Sequence, residues 1–82
     1  LYPRMLVDVS QRDLSTTILG QSLSAPILIA PMAFQCLANS AGEVATAKAG
    51  TSLGIGMVLS TLATKSMAEV TTANPQTWFQ LY

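Results

Sequence analysis

Ile27-Leu28-Ile29-Ala30, Met57-Val58-Leu59 and Trp78-Phe79-Gln80-Leu81-Tyr82 are three short apolar runs, and the segments between them decide the fold. The first two runs show no polar alternation, the mark of strands covered on both faces. Between them Ser40-Ala41-Gly42-Glu43 has the form of a capping box, in which the serine hydroxyl and the glutamate each satisfy a free helix N–H. Helical spacing follows, with Ala41, Ala45, Ala49 and Leu53 in one i, i+4 row, and Gly54 suits the left-handed position that ends a helix. The same grammar then repeats. Ser66-Met67-Ala68-Glu69 is a second capping box, Met67 and Val70 mark an apolar face, and Asn74-Pro75 stops the helix. Strand–helix–strand–helix–strand with fully apolar strands predicts βαβ crossovers and a parallel sheet.

The preceding residues read differently. Met5-Leu6-Val7 and Thr16-Thr17-Ile18-Leu19 have strand character, Gly20-Gln21 fits a two-residue turn with glycine first, and Ser22-Leu23-Ser24 returns antiparallel. Residues 1–26 are therefore expected to form opening strands and a hairpin, with Pro26 leading into α/β units over 27–82.

Half of the 82 residues are hydrophobic and only 10% are charged, against ~25% in an ordinary soluble protein. A small domain has the most surface per residue and needs the most charge, so much of this exterior is expected to be covered by further protein. The start at Leu1 and the stop at Tyr82 inside an apolar run are read as cuts in a longer chain. Arg4, Arg12, Lys48 and Lys65 are spread evenly against Asp8, Asp13, Glu43 and Glu69. No basic patch is available for nucleic acid or for a membrane surface. The apolar stretches Ala25–Phe34 and Gly54–Ala63 are too short to span a bilayer, and no targeting segment is visible. Cys36 stands alone and histidine is absent, which leaves no disulfide framework and no metal-ligand set.

Periodicity alone does not separate a closed barrel from a doubly wound open sheet. No Gly-x-Gly-x-x-Gly follows the first core strand, and Gly54-Ile55-Gly56 precedes a strand, where a helix end and tight turn explain it. In either architecture chemistry gathers at the C-terminal ends of the strands. Those ends carry Pro31-Met32-Ala33 with Gln35, Ser60-Thr61, and Gln80 with Tyr82. None forms a nucleophile–base pair, and two of the four carboxylates are expected to serve as helix caps. Hydroxyl, amide, phenol and loop N–H groups remain, which suit a flat heterocycle with polar edges better than a phosphate or a metal. Equally, Ser60 and Gln80 can serve only to satisfy backbone at the strand ends.

Ala30-Pro31-Met32-Ala33-Phe34-Gln35, Leu59-Ser60-Thr61 with Ala63-Thr64, and Trp78-Phe79-Gln80-Leu81-Tyr82 occur in an order and separation that resembles the FMN-dependent α-hydroxy acid oxidases and dehydrogenases, the family of glycolate oxidase and L-lactate oxidase. Pro3-Arg4 to Asp8 and Thr17-Ile18-Leu19-Gly20 extend the resemblance over essentially the whole chain. It implies part of a TIM (β/α)8 barrel: the first two βα units and the third strand, preceded by a β-hairpin. It implies FMN as cofactor, with Pro31, Met32 and Ala33 presenting backbone to the isoalloxazine ring and Ser60 and Gln80 bonding its polar edge. Tyr82 would place its hydroxyl in the substrate pocket as the catalytic candidate. The implied reaction oxidises a small 2-hydroxy acid, L-lactate or glycolate, to the 2-oxo acid. A histidine takes a proton, arginines hold the carboxylate, and FMN takes the electrons. The resemblance further implies a homo-oligomeric full-length protein, cytoplasmic in a bacterium and peroxisomal in a eukaryote.

Two departures bear on substrate. Plant glycolate oxidases carry tryptophan where this chain has Leu62, and many carry threonine where it has Met32. A leucine gives a differently shaped pocket without an indole N–H, so L-lactate stands beside glycolate. With histidine absent, the base, the arginines and the phosphate site are expected beyond Tyr82, and the isolated chain is expected to be inactive and prone to associate through strands 27–30 and 78–82. Two other readings are another flavin or phosphate-binding barrel sharing the Ala-Pro-Met loop, and a small non-catalytic interaction module.

Overall fold

A computed structural model describes residues 2–82, which form two small sheets and two helices. Strands β1 (Thr16–Ile18) and β2 (Gln21–Leu23) make an antiparallel hairpin in which Ile18 faces Gln21. The turn is thus Leu19-Gly20, one residue earlier than the expected Gly20-Gln21. Both turn residues have positive φ, 48° at Leu19 and 79° at Gly20. That is the pattern of a type I′ turn, whose twist matches the flanking strands, whereas glycine in first place would give type II′. The register follows from burial: Gln21 and Leu23 alternate inward with Ser22 outward.

The expected strand at Met5-Leu6-Val7 does not form. Residues 2–15 carry no helix or strand, all three side chains are exposed, and Leu6 has φ 59°. Among the described residues no strand pairs with this segment. Its backbone turns instead on local aspartates, with the Ser10 N–H donating to Asp8 Oδ1 and the Ser15 N–H to Asp13 Oδ1, each at 2.9 Å.

The second sheet is β3 (Leu28–Ile29), β4 (Gly56–Leu59) and β5 (Trp78–Phe79), all parallel and in sequential order. Ile29 pairs with Met57 and Leu59 with Phe79. Helix α1 (Gly42–Leu53) connects the first pair and α2 (Met67–Ala73) the second. No strand order reversal occurs among the described residues, so they contain no switch point of a doubly wound fold. The arrangement is an arc of a (β/α)8 barrel, two βα units and a third strand behind a hairpin, as the sequence led one to expect. Met57 and Leu59 alternate toward the helices, where they meet Ala47 of α1 and Val70 of α2 in the buried core. Strands β3 and β5 are shorter than their apolar runs, because pairing extends over only two residues of each.

The helix ends separate the two similar motifs. At α2 the capping box is complete: the Glu69 N–H donates to Ser66 Oγ and the Ser66 N–H to Glu69 Oε2. Asn74 leaves the helix in extended conformation before Pro75, and Gly54 closes α1 with φ 67°, the Ile55 N–H returning to the Gly50 carbonyl. At α1 the expected box is absent. The N-cap is Ala41 with no side-chain cap, because Glu43 turns inward rather than back to Ser40. The row Ala41, Ala45, Ala49 and Leu53 lies on the exposed side, while Glu43, Ala47 and Gly50 form the packed face. Small residues win that face because the helix lies close to the sheet: a Cβ on Gly50 would already touch Ile29 Cδ1 at 3.4 Å. Met67 likewise stays half-exposed, leaving Val70 as the core residue of α2.

Leu19 is 88% exposed yet held in the left-handed region, which costs an ordinary residue ~1–2 kcal/mol. Leu19→Asn, in the protein that carries this chain, is expected to stabilise the fold by ~1 kcal/mol. Thermal denaturation measures it, and an unchanged or lower midpoint would show that the leucine side chain supplies compensating contacts.

Candidate functional site

Three chain segments leave the C-terminal ends of β3, β4 and β5 side by side, and they are tied to one another by hydrogen bonds. The Phe34 N–H donates to the Leu62 carbonyl at 3.2 Å, joining the first segment to the second. The Thr61 hydroxyl donates to the Gln80 carbonyl, and the Gln80 N–H to the Leu59 carbonyl at 2.8 Å, joining the second to the third. Every sequence-derived site residue except Tyr82 lies within these tied segments.

Pro31 and Met32 are exposed and Ala33 is half-buried. Ser60 is almost wholly buried, its Oγ accepting the Leu62 N–H at 3.1 Å. That bond is the backbone-satisfying role that the residue type allows, and among the described residues the hydroxyl's own proton has no acceptor. Gln80 is half-buried with both backbone groups engaged, and its side-chain amide bonds to nothing among the described residues. Tyr82 is 81% exposed, and the structure does not bring its hydroxyl to Ser60 or Gln80 by any hydrogen bond. A cleft of about 360 Å³ adjoins the first segment, lined among others by Met32, Ala33, Phe34, Leu37 and Thr46. A tighter cavity of about 250 Å³ lies at the opposite end, where Gln21, Gly54 and Pro75 precede the strands, away from the face where α/β proteins place their chemistry.

What holds the first two segments is a side chain whose role differs from the one its sequence context suggests. Glu43, fully buried at the start of α1, accepts four hydrogen bonds. Its Oε2 takes the N–H groups of Gln35 and Thr64, each at 3.1 Å. Its Oε1 takes the Thr64 hydroxyl at 2.7 Å and the Lys65 N–H at 3.1 Å. The network extends outward from there. The Cys36 N–H donates to Thr64 Oγ1 at 3.1 Å, the Thr46 hydroxyl to Gln35 Oε1 at 2.5 Å, and Gln35 Nε2 to the Met32 carbonyl at 3.4 Å. Burial pushes the Glu43 carboxyl up, but the Thr64 hydroxyl and N–H, with the Gln35 N–H, outweigh it and hold it down to about 2.

Gly42 makes this approach possible. It has φ 51°, and a Cβ there would sit 2.5 Å from Cys36 Sγ. The signal for Glu43 was present in the sequence: positions 43, 47 and 50 share a helical face with small residues, and a lone carboxylate on such a face must find donors. The motif Ser-x-x-Glu masked it. Phe34 adds a strained point, holding φ 54° at the entrance to a 3₁₀ turn over Gln35–Leu37.

The family described as FMN-dependent dehydrogenase matches residues 1–82. The chain belongs to that family. It is 61% identical to an L-lactate oxidase of Nostoc sp. over all of this chain and 24% of that protein. It is 51% identical to human 2-hydroxyacid oxidase 1, again over all of this chain and 23% of the relative. Among solved structures, a mandelate oxidase variant with an FMN adduct superposes with a TM-score of 0.90 at 33% identity, covering 99% of this chain and 26% of that one. An active chimera of (S)-mandelate dehydrogenase superposes with a TM-score of 0.87 at 40% identity, covering 99% and 23%. The chain thus spans about a quarter of the length of these relatives.

FMN is the family's cofactor, and the residues of this chain fit it. The tied strand ends present only neutral groups: a hydroxyl with an unused proton, an unbonded amide, and exposed apolar surface at Pro31 and Met32. These match the polar rim and flat face of a neutral heterocycle.

A carboxyl held near 2 instead of 4.5 stabilises the fold fully above pH 4.5, and that contribution is lost as pH falls toward 2. After solvent screening at this loop-lined site it amounts to on the order of 2 kcal/mol. Glu43→Gln is therefore expected to lower stability by about that much at neutral pH, with the gap from wild type closing below pH 4.5. Urea titrations of both proteins across that range measure it, and a gap independent of pH would refute the charged network.

Proposed function

We propose that residues 1–82 build one side of the flavin pocket of an oxidase that converts a small 2-hydroxy acid to the 2-oxo acid. Residues 1–26 are the opening segment and hairpin, and 27–82 the barrel units, of one FMN-dependent domain. The carrying observation is the tied row of three strand ends, where the half-buried Gln80 keeps an unbonded side-chain amide and the Ser60 hydroxyl, though almost wholly buried, keeps an unspent proton. FMN, when bound, accepts the electrons of the oxidation. The chain's own part is to orient it: the Pro31-Met32-Ala33 segment lies along the ring, while the Ser60 proton and the Gln80 amide meet its polar edge. Tyr82, exposed at the end of the third segment, offers its hydroxyl to the substrate.

The chain contains no histidine, so the proton-abstracting histidine implied by the family resemblance comes from elsewhere in the protein. L-lactate is favoured over glycolate. Leu62, 46% exposed in the second of the tied segments, would give the pocket an aliphatic wall, and the 61% identical Nostoc protein is an L-lactate oxidase. A homo-oligomer, cytoplasmic in a bacterium or peroxisomal in a eukaryote, follows from the family resemblance alone.

The test uses the protein that carries this chain, with L-lactate and glycolate as substrates. Ser60→Ala and Gln80→Leu are each expected to weaken FMN by ~3–10-fold, the loss of one hydrogen bond, and to shift the visible flavin bands. Tyr82→Phe is expected to lower kcat/KM ~10-fold or more while leaving FMN affinity unchanged. Leu62→Trp is expected to move the lactate-to-glycolate ratio of kcat/KM toward glycolate by ~10-fold. Oxidation of neither acid, or flavin spectra and affinity indifferent to Ser60 and Gln80, would end this reading.

A further inference from the structure

We infer that Glu43 is a positioning residue for FMN, acting through the two loops that its carboxylate joins; the inference rests on the flavin-facing reading above. Neither carboxylate oxygen touches the candidate pocket. Both instead hold the segments that form it, from a point behind them.

The connections are short. Oε2 bonds Gln35 of the first segment and Thr64 of the second at once. Gln35 lies two residues past Ala33, and its side chain holds the Met32 carbonyl. Thr64 lies four residues past Ser60, and its hydroxyl both donates to Glu43 and accepts the Cys36 N–H. A shift of the carboxylate therefore moves Met32-Ala33 and Ser60 relative to each other, which changes the separation of the groups that meet the ring face and the ring edge. Two direct bonds also join the segments, Phe34 N–H to the Leu62 carbonyl at 3.2 Å and Cys36 N–H to Thr64 Oγ1 at 3.1 Å, and both are between neutral groups.

The chemistry of the group supports the role. Three N–H donors and one hydroxyl converge here, and among side chains only an ionised carboxylate offers acceptors for all four. An amide of the same shape would point N–H groups at two of them. The helix gains no cap from the arrangement: α1 starts at Ala41 without a side-chain partner although Ser40 precedes it, forgoing the ~1 kcal/mol that a serine cap supplies. A glutamate selected for helix stability would have turned back to Ser40, as Glu69 does to Ser66.

The experiment compares Glu43→Gln, Thr64→Val and Thr64→Ser with Ser60→Ala and Gln80→Leu in the holoprotein that carries this chain. FMN affinity is read from flavin fluorescence in titrations of the apoprotein. The ring environment is read from visible circular dichroism of the bound flavin, at a temperature where each variant is fully folded. Glu43→Gln and Thr64→Val are expected to weaken FMN ~10-fold, the scale on which supporting contacts behind a bound group act, and to alter the dichroism. Thr64→Ser, which keeps the hydroxyl, is expected to restore both, and the Glu43→Gln/Thr64→Val double variant to be no worse than the poorer single one. Lowered melting temperatures with wild-type affinity and dichroism, while Ser60→Ala or Gln80→Leu changes them, would overturn the inference and leave the flavin-facing reading standing. Indifference to all five substitutions would remove both. Should Glu43→Gln fail to fold, the Thr64 pair decides alone: wild-type affinity and dichroism in folded Thr64→Val overturns the inference.

Discussion

A buried carboxylate with four donors around it is the constraint on which the rest of this structure depends. Burying a charge costs several kcal/mol unless hydrogen bonds replace its water, and Glu43 replaces it with backbone N–H groups from two different loops and a threonine hydroxyl. Those donors have needs of their own. Loop N–H groups turned inward have no ladder to join, and an unpaired one is as costly as a lost hydrogen bond. The charge and the loops thus solve each other's problem. Strands of two to four residues contribute little sheet area, so the register of the strand ends is held as much by this hub as by the ladder.

The hub also separates two kinds of order in the molecule. Core packing through Ala47, Met57, Leu59 and Val70 fixes how the helices lie on the sheet. Polar bonds just past the C-terminal ends of the strands fix where the loops lie. Apolar contacts are non-directional and tolerate small slips, whereas a carboxylate with four short bonds does not. A face that must match a rigid planar ligand gains from the second kind of order, which explains why the one buried acid of the described residues sits behind that face and not in the core.

Much of this was legible from the residues. Apolar runs at Ile27–Ala30 and Met57–Leu59, the Ser66-x-x-Glu69 box, the Gly54 helix end and the Asn74-Pro75 stop each rest on local chemistry, and each appears where expected. The strand-end positions of Ser60 and Gln80 were legible for the same reason. What was hidden depended on distant partners. Ser40-x-x-Glu43 has the same local form as its repeat, but Thr64 and Lys65 compete for the carboxylate from 21 and 22 residues away, and three extra donors outweigh one cap. The Ala41-Ala45-Ala49-Leu53 row looked like a packing face because methyl groups are apolar; the sheet instead took the side of Ala47 and Gly50, where the helix lies close to it. Leu19 took a turn position that propensity assigns to asparagine or glycine because the inward alternation of Gln21 and Leu23 fixed the register first. Met5-Leu6-Val7 had strand composition without a partner strand among the described residues.

Gly42 and Cys36 are crowded into one corner, since a β-carbon at 42 would come within 2.5 Å of the sulfur. Heredity therefore acts on the two positions unequally. A lineage that enlarges residue 36 gains no room at 42, where glycine is already the minimum, and one that adds a methyl at 42 must give up the sulfur and bend a left-handed backbone as well. The constraint is lopsided: a methyl at 42 meets both the sulfur and a left-handed backbone, whereas a side chain at 36, partly exposed, can rotate away. In a comparison of many such sequences, this corner should show as an unvarying glycine beside a residue free to vary.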